Sequence, residues 1–323
     1  MMEILKGGTS TTVQDLGRFG QYHIGMPPSG AMDQFSHKVA NAIVGNDEDA
    51  ATLEMTYQGS TIEFTEDTVI ALTGAEMPVE LDGEPVPMYS AVRVEAGETL
   101  EAEFAMEGAR TYLAVAGGID VPEVMESKST YTLVGIGGLA GRTLQEGDEL
   151  PIGESETDPN TVLENSVPEK HVADIGPDAG IRVIVGLFDY RLTDESREEL
   201  TDAEWNVTPE ADRVGYRLEG PELDFVEREQ PFGAGTDPSN VVDVGYPIGS
   251  IQLPQQPIVV MRDAVTGGGY ATVGTVISTD RDLLAQRRTH ETVSFDAVTL
   301  EEAVEARETR TERLETIYGV LDG

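Results

Sequence analysis

Short runs of apolar and β-branched residues, separated by turn residues, fill the first half of the chain. Runs of this length and composition predict strands. The predicted strands are Thr61–Phe64, Thr68–Leu72, Met77–Leu81, Ala91–Val94, Thr99–Ala105 and Arg110–Val115. One helix is predicted from Asp33 to Val44, where Phe35, Val39, Ala42 and Ile43 share a face. Many short strands with glycine-rich turns and one helix favour a closed or nearly closed barrel.

The same pattern resumes after a polar, acidic segment. Residues 156–170 lie in that segment and are predicted to link an N-terminal domain, 1–155, to a C-terminal domain, 171–323. The second domain is predicted to contain strands at Ile181–Val185, Val214–Leu218, Ile251–Leu253 and Ile258–Met261, and helices near Thr193–Thr201 and at Leu300–Tyr318. The length fits two domains, and the predicted fold class is mostly β with a few helices.

The charge of the chain is strongly negative. It contains 60 Asp and Glu residues against 21 Lys and Arg residues, for a formal net charge of -39. Dispersed acids destabilise a compact fold unless counterions screen them, and at ~1 M salt the screening length falls to roughly 3 Å. The composition therefore predicts adaptation to concentrated salt. It also excludes nucleic acid as a ligand, because so few basic residues are available to neutralise phosphates.

The chain has no cysteine, which excludes disulfides, thiolate metal sites and cysteine nucleophiles. Its histidines lie too far apart in sequence for a local metal motif, so no metal site is predicted. No stretch approaches the ~18 apolar residues of a membrane span, and the first residues lack a basic, apolar leader. We therefore expect a cytoplasmic protein that does not enter a membrane.

Three familiar cofactor motifs are excluded. The segment 135–140 fits the dinucleotide pattern G-x-G-x-x-A, but no helix is predicted after it, so a β-turn is favoured. The chain lacks a G-x-x-x-x-G-K-[ST] loop, so ATP would need a different phosphate site. None of its lysines stands between two methionines, so no covalent biotin is expected on this chain.

Two segments have residue patterns that the packing of an ordinary core does not explain. The first runs through Asp15-Leu16-Gly17-Arg18 to Ser29-Gly30-Ala31-Met32-Asp33, and the second runs through Gln252-Leu253-Pro254 to Gly267-Gly268-Gly269-Tyr270. With these segments, and with Asp212–Leu218, the chain resembles the allophanate hydrolase subunit 2-like family of biotin-dependent carboxyltransferases. That family includes the C-type component of prokaryotic 5-oxoprolinase and is similar to part of the carboxyltransferase region of urea carboxylase.

The resemblance implies two cyclophilin-like β-barrel domains, in agreement with the strand pattern. It also implies a subunit-B-like partner and, for 5-oxoprolinase, a third, A-type subunit. Such a complex opens the lactam of 5-oxoproline to glutamate while ATP, held by the complex or by this chain, is hydrolysed. One alternative is the carboxyltransferase component of a biotin-dependent urea or amide carboxylase. A second is a non-enzymatic, partner-binding regulator of a sensor kinase.

Three of the candidate site residues lie in the first segment. Asp33 stands directly before the predicted helix, where it would cap that helix, act as a catalytic carboxylate, or do both. Asp15 is a second candidate catalytic acid. Asp15 and Arg18 would pair across a turn, or Arg18 would bind substrate, since an arginine near a carboxylate can hold an anion in bidentate fashion.

The other candidates lie in the second segment. Asp263, the third candidate catalytic acid, precedes a run of three glycines. Consecutive glycines allow close backbone approach and point N–H groups at an anion, and the structural alternative is a tight barrel turn. The predicted substrate-binding residues of this segment are Gln252, Thr266, Gly268, Gly269 and Tyr270. Their expected ligand is a small lactam or amide.

Overall fold

The computed structural model of the chain describes residues 1–155, 157–176 and 180–321. Its internal contacts divide the chain into two units. The first comprises Met1–Arg18, Ser29–Ile175 and the chain from Thr311 on, and the second comprises Phe19–Pro28 and Gly176–Arg310. Residue 156 of the predicted linker lies outside the described residues, as do residues 177–179 and 322–323 of the predicted C-terminal domain.

The described part of the predicted linker packs on the first unit. Val162 and Val167 are buried in an apolar cluster of that unit. The main-chain N–H of Val167 donates to the carbonyl oxygen of Tyr89 at 2.9 Å, and Asn165 Nδ2 donates to the carbonyl oxygen of Ile43 at 3.0 Å. Apolar burial and these bonds hold the segment, so it belongs to the first unit and is not a free connection. The sequence analysis did not predict this packing because most residues of the segment are polar or acidic.

The first unit consists of two sheets and a helix. Its strands are β1 (Met2–Lys6), β2 (Ser10–Gln14), β3 (Thr52–Thr56), β4 (Thr61–Phe64), β5 (Thr68–Glu76), β6 (Val79–Leu81), β7 (Glu84–Pro85), β8 (Ala91–Val94), β9 (Thr99–Ala102), β10 (Glu107–Val115) and β11 (Glu149–Leu150). They form a six-stranded sheet, β11-β1-β4-β9-β6-β7, and a five-stranded sheet, β2-β3-β10-β5-β8. Alternating residues of both sheets meet in one buried core.

Helix α1 (Gln34–Ile43) packs on the five-stranded sheet. Its residues Phe35, Val39 and Ile43 are buried in one cluster with Val69 and Tyr112 of that sheet. These three residues belong to the predicted apolar face, and its fourth residue, Ala42, is only half-buried. Short 3-10 helices follow at Pro159–Val162 and Glu169–His171. The strands and the helix predicted in this half are present, with shifts at their ends.

The second unit is built around a closed barrel. Its strands are β12 (Ile181–Val185), β13 (Glu204–Val207), β14 (Gly215–Glu219), β15 (Asn240–Gly245), β16 (Ser250–Gln252), β17 (Ile258–Val260), β18 (Gly267–Tyr270), β19 (Thr272–Val276) and β20 (Thr292–Ala297). The barrel order is β12-β19-β16-β17-β14-β13-β20, and β15 pairs with β18 in a separate two-stranded sheet. The predicted mostly β fold with a barrel is confirmed.

The remaining helices are short except for the last. They are α2 (Asp194–Asp202), α3 (Asp280–Ala285) and α4 (Leu300–Leu321), with 3-10 turns at Tyr22–Ile24 and Asp189–Arg191. Helix α4 confirms the predicted terminal helix and carries charge of both signs along its length. Its assignment to the C-terminal domain is wrong for the residues from Thr311 on, which belong to the first unit because Leu314 and Ile317 are buried in an apolar cluster there. Across the described helices, none combines the length and the apolar character needed to cross a membrane.

Six of the described acidic residues are buried: Asp15, Asp33, Glu54, Asp263, Asp280 and Asp282. A buried charge is costly unless it is paired or hydrogen-bonded. Asp280 accepts from Arg182 Nη2 at 2.7 Å, and Asp282 lies 2.5 Å from Arg310 Nη2. The other four have equally specific partners in the candidate sites. Burial therefore distinguishes a few acidic residues with specific partners from the many acidic residues at the surface.

Candidate functional site

Asp33 is buried at the N-terminus of α1, where the structure confirms the predicted cap. Its Oδ1 accepts from the main-chain N–H of Ser36 at 3.0 Å, and its Oδ2 accepts from the Ser36 hydroxyl at 2.7 Å. The residue is 2% exposed. An aspartate cap of this kind typically contributes ~1 kcal/mol. The helix thus fixes both the position and the orientation of this carboxylate.

A buried carboxylate that the sequence analysis missed holds the loop before α1. The Tyr112 hydroxyl accepts from the N–H of Asp33 at 2.8 Å and donates to Glu54 Oε2 at 2.7 Å. The N–H of Met32 donates to the same oxygen at 2.8 Å, and Arg110 Nε lies 3.8 Å from Glu54 Oε1. Burial, and next the charge of Glu54, hold the pKa of Tyr112 well above its usual value, so the hydroxyl keeps its proton. The position of Glu54 within the otherwise uncharged strand β3 was the signal in the sequence that could have identified it.

We expect Tyr112→Phe to lower the free energy of unfolding by about 1–3 kcal/mol, because the buried N–H of Asp33 loses its partner. Denaturant titration at constant high salt measures this change, and hydrogen exchange at the Asp33 amide reports release of the loop. Tyr216→Phe is the matched control, since that buried hydroxyl donates to the Ala285 carbonyl oxygen at 3.1 Å. Unchanged exchange at Asp33 in the Tyr112 variant would contradict the role of Tyr112 in holding this loop.

The Asp15 carboxylate holds the loop at residues 127–129. Its Oδ1 accepts from the hydroxyls of Ser127, at 2.8 Å, and Ser129. The main-chain N–H of Gly17 donates to Oδ1 at 2.8 Å, and that of Lys128 donates to Oδ2 at 2.6 Å. Both carboxylate oxygens are therefore engaged by the protein itself. This geometry gives Asp15 a positioning role for two loops.

Arg18 is bound into the same loops and is only 1% exposed. Its Nη2 donates to the carbonyl oxygen of Ser129, and its Nε donates to that of Val124 at 3.4 Å. A Cβ on Gly137 would come within 1.9 Å of the Ser129 carbonyl oxygen and 2.7 Å of the Arg18 Nη2, so this glycine is needed for close approach. The N–H of Ala31 donates to the Asp15 carbonyl oxygen at 2.8 Å. The structure thus brings Asp15, Arg18 and the loop before Asp33 together.

A cavity of about 380 Å³ opens beside Asp15 in the first unit. Its acidic lining residues are Asp15, Asp47, Asp49, Glu123, Glu126 and Glu154, and Lys128 is the basic residue of the lining. A lining with such an excess of negative charge concentrates cations and repels anions. The residues of this cavity therefore do not fit the triphosphate of ATP.

In the second unit, Asp263 forms a bidentate ion pair with Arg213. Arg213 Nε donates to Oδ2 at 2.8 Å, and Arg213 Nη2 donates to Oδ1 at 3.1 Å. The N–H of Asp263 also donates to the carbonyl oxygen of Arg213 at 2.9 Å, and Asp263 is 1% exposed. Two parallel bonds fix the plane of the carboxylate as well as its position. Arg213 belongs to the conspicuous segment 212–218, but no local pattern there indicates that it pairs with Asp263.

The glycines after Asp263 form strand β18, which differs from both the predicted nest and the predicted tight turn. Antiparallel pairing with β15 keeps this backbone extended. The Tyr246 ring explains the glycine at position 268, because a Cβ there would lie 2.9 Å from the ring. The Tyr246 hydroxyl accepts from the N–H of Tyr270 at 2.6 Å and donates to the Tyr270 carbonyl oxygen at 3.2 Å. The glycines thus serve close packing against a tyrosine.

The other predicted binding residues of this unit lie on adjoining elements. Gln252 is buried at the end of β16, where it pairs with Ile258 and Thr272 of the neighbouring strands. The carbonyl oxygen of Thr266 accepts from the N–H of Tyr246 at 2.9 Å. The side chain of Tyr270 is exposed at the end of β18. These positions place Asp263, Thr266 and Tyr270 along one loop and strand.

Comparison with known families and proteins gives a consistent result. Residues 24–297 match the family described as carboxyltransferase domain, subdomain A and B. The C-type component of 5-oxoprolinase from Escherichia coli (strain K12) is 38% identical over 310 residues, which cover 95% of this chain and 94% of that protein. The urea amidolyase of Saccharomyces cerevisiae is 33% identical over 98% of this chain, but over only 18% of its own length.

A solved structure extends the same similarity to the fold. The urea amidolyase of K. lactis superposes with a TM-score of 0.92 and 29% identity, over 98% of this chain and 20% of that chain. The chain therefore spans nearly the whole of the E. coli protein and about a fifth of the yeast enzymes.

Proposed function

Because the chain belongs to the family of carboxyltransferase domains with subdomains A and B, we propose that it is the C-type component of an ATP-dependent 5-oxoprolinase. The observation that carries the proposal is the similarity to the E. coli protein, which extends over nearly all of both sequences. In this proposal the rest of the enzyme consists of a subunit-B-like protein and an A-type subunit. The reaction opens the lactam of 5-oxoproline to glutamate while ATP is hydrolysed.

We assign ATP to one of the partners. The cavity beside Asp15 is lined by acids that repel a triphosphate, and the sequence has no glycine-rich loop with a phosphate-binding lysine. The contribution of this chain is then to bind and orient the lactam and to move protons. No covalent biotin is needed on it.

The chemistry of lactam opening defines what those residues must do. A resonance-stabilised amide is a poor electrophile, so donors must hold the developing oxyanion and an acid must protonate the leaving nitrogen. We assign proton handling to Asp33 and Asp263, which are buried and held in fixed orientations by Ser36 and Arg213. Asp15, with its oxygens engaged by serines and backbone amides, is assigned a positioning role.

The proposal is tested by purifying the chain together with its B-type and A-type partners at high salt. We expect ATP hydrolysis that depends on 5-oxoproline, with glutamate released in equal amount. Omission of this chain is the control and should abolish both activities. A complete complex that releases no glutamate, and that carboxylates urea when supplied with a biotin carrier protein, would overturn the proposal.

That second activity has its own structural support. The close superposition on K. lactis urea amidolyase favours a carboxyltransferase component, which would move a carboxyl group from biotin on another protein to an amide or urea. The two functions differ in the charge of the substrate, because 5-oxoproline is an anion at neutral pH and urea is not. A residue that binds the carboxylate of the substrate would therefore be expected for the 5-oxoprolinase function and not for the carboxylation of urea.

We also propose that the acidity of the chain adapts it to concentrated salt. In the six-stranded sheet, Glu3 pairs with both Glu149 and Glu63, and Glu80 pairs with Glu101. Like charges directly opposite each other in a sheet are destabilising. A fold that keeps such pairs is best suited to a solvent in which counterions screen them.

A further inference from the structure

Two buried polar side chains of the second unit, Gln252 and Thr272, have no partner within the part of the chain that the structure describes. Gln252 is 7% exposed and Thr272 is 4% exposed. The Thr272 hydroxyl is buried without a hydrogen bond, and the Gln252 amide makes none with any described residue. A glutamine amide offers donors and an acceptor, and a threonine hydroxyl offers a donor. Buried polar groups are nearly always hydrogen-bonded, so these two need an explanation.

The strands place the two side chains next to each other. Gln252, at the end of β16, lies directly opposite Thr272, at the start of β19. Side chains of opposite residues point to the same face of a sheet, with their Cβ atoms roughly 5 Å apart. The register shifts between Gln252 and Ile251, which lies opposite Gly274. Such irregularities redirect side chains and are common next to active sites.

The backbone beside this pair is already bonded, so the pair is held in place by the fold. The carbonyl oxygen of Thr272 accepts from the N–H of Phe188 at 2.9 Å and from the N–H of Leu187 at 3.2 Å. A buried polar group without a partner costs stability, and an apolar residue at the same position would avoid that cost. Preorganised groups that the described fold leaves unpaired lower the cost of binding a ligand that pairs with them.

We propose that Gln252 and Thr272 bind the amide of the substrate, which is the lactam of 5-oxoproline in the function proposed above, so this inference rests on that function. The five-membered ring holds the lactam amide in the cis form, with its N–H and C=O on one edge. A glutamine amide pairs with such an edge through two hydrogen bonds, one donated and one accepted. The Thr272 hydroxyl then donates to the lactam oxygen, where negative charge develops as the ring is opened.

The site is tested by calorimetric titration of 5-oxoproline into the assembled complex at constant KCl concentration. We expect Gln252→Leu to raise the dissociation constant about 5- to 100-fold, the change that loss of two neutral hydrogen bonds produces. Thr272→Val should raise it about 2- to 10-fold, since one bond is lost. Gln256→Leu is the matched control, because Gln256 lies between the same two strands, β16 and β17, and its Oε1 accepts from the N–H of Gly220 at 3.1 Å. Variants that bind 5-oxoproline as tightly as wild type would overturn the site.

Thermal unfolding of the same complexes separates a binding role from a structural one. Because neither side chain has a partner among the described residues, Gln252→Leu and Thr272→Val should leave Tm unchanged or raise it. Gln256→Leu should lower Tm, since the N–H of Gly220 loses its acceptor. A fall in Tm for Gln252→Leu together with unchanged binding would show that this amide serves the fold, and the site would be wrong.

Two further ligands show which chemical group is bound. Proline has the ring and the carboxylate of 5-oxoproline but no lactam carbonyl, so Gln252→Leu should not weaken its binding. An equal loss for proline would overturn the amide site. Urea carries the same amide edge as the lactam. If Gln252→Leu weakens the binding of urea and leaves that of 5-oxoproline unchanged, the lactam is the wrong ligand and the carboxyltransferase function is favoured.

The failure of this site and of the proposed function can be told apart, because the titration measures binding and not turnover. If glutamate is released normally and the two variants change neither KM nor the dissociation constant, the amide site is wrong and the function stands. If 5-oxoproline binds through Gln252 but the complete complex hydrolyses no ATP, the site stands and the function is wrong. Where both hold, Gln252→Leu should raise KM, and Thr272→Val should lower kcat because its hydroxyl holds the developing oxyanion.

Discussion

Replacing Asp263 with alanine is expected to abolish 5-oxoproline turnover by the assembled complex and to lower the free energy of unfolding by about 3 kcal/mol. The loss of stability follows because the substitution leaves the half-buried guanidinium of Arg213 without its bidentate partner, and breaking a buried pair typically costs ~3–5 kcal/mol. The lower end applies here because the Arg213 side chain is 14% exposed. Denaturant titration at constant high salt gives the stability, and glutamate release gives the turnover.

A second substitution separates the catalytic role of Asp263 from its structural role. In the variant Asp263→Ala/Arg213→Met both members of this ion pair are removed together, so stability should return to within about 1–2 kcal/mol of wild type. Turnover should stay absent if Asp263 handles a proton. Recovery of turnover in this double variant would show that Asp263 only supports the fold.

The control for these variants is another bidentate ion pair. Asp148 accepts from Arg142 Nη2 at 2.8 Å and from Arg142 Nη1 at 2.6 Å in the first unit, and neither residue lies in a candidate site. Arg142 holds the pKa of Asp148 below its usual value. Asp148→Asn should therefore reduce stability while turnover per folded complex is retained. This comparison ties the loss of activity to Asp263 itself.

The regular elements of this fold could be predicted from the sequence because their signals are local. Strand β8 and strand β12 have the predicted bounds, and α1 buries the predicted face. The cap at Asp33 was equally local, since it depends on a residue three positions along the chain. Such features need only the spacing of apolar residues and the chemistry of one side chain.

The features that were missed depend on contacts between distant parts of the chain. Glu54 and Tyr112 are 58 positions apart, and Arg213 and Asp263 are 50 apart. The glycines of β18 were predicted to form an anion-binding nest or a tight turn. Gly268 is instead needed for packing against the ring of Tyr246, which is distant in sequence. The segment 19–28 likewise lies within the predicted N-terminal domain, 1–155, but belongs with the second unit. A single sequence carries no signal for such pairs.

Lowering the salt concentration is the other change expected to have a large effect. Between ~1 M and ~0.1 M salt the screening length grows from roughly 3 Å to roughly 10 Å, so opposed acids then repel each other. We expect a loss of about 2–4 kcal/mol, since each like-charge pair across the strands contributes up to ~1 kcal/mol and the other surface acids add to it. Calorimetry in a KCl series should then show Tm falling by roughly 5–15 °C.

A single substitution identifies the acids responsible for this salt requirement. Glu3 lies between Glu149 and Glu63, so Glu3→Gln removes two repulsive pairs and should stabilise the protein at low salt by about 0.5–1 kcal/mol. At high salt the same variant should match wild type, because the pairs are already screened. Glu222→Gln removes the same charge from an exposed loop position and is the control. If both variants gain the same stability at low salt, the net charge of the protein, and not the row of acids in the sheet, causes the salt requirement. If sucrose stabilises the protein as well as KCl does, screening of charges does not explain the requirement.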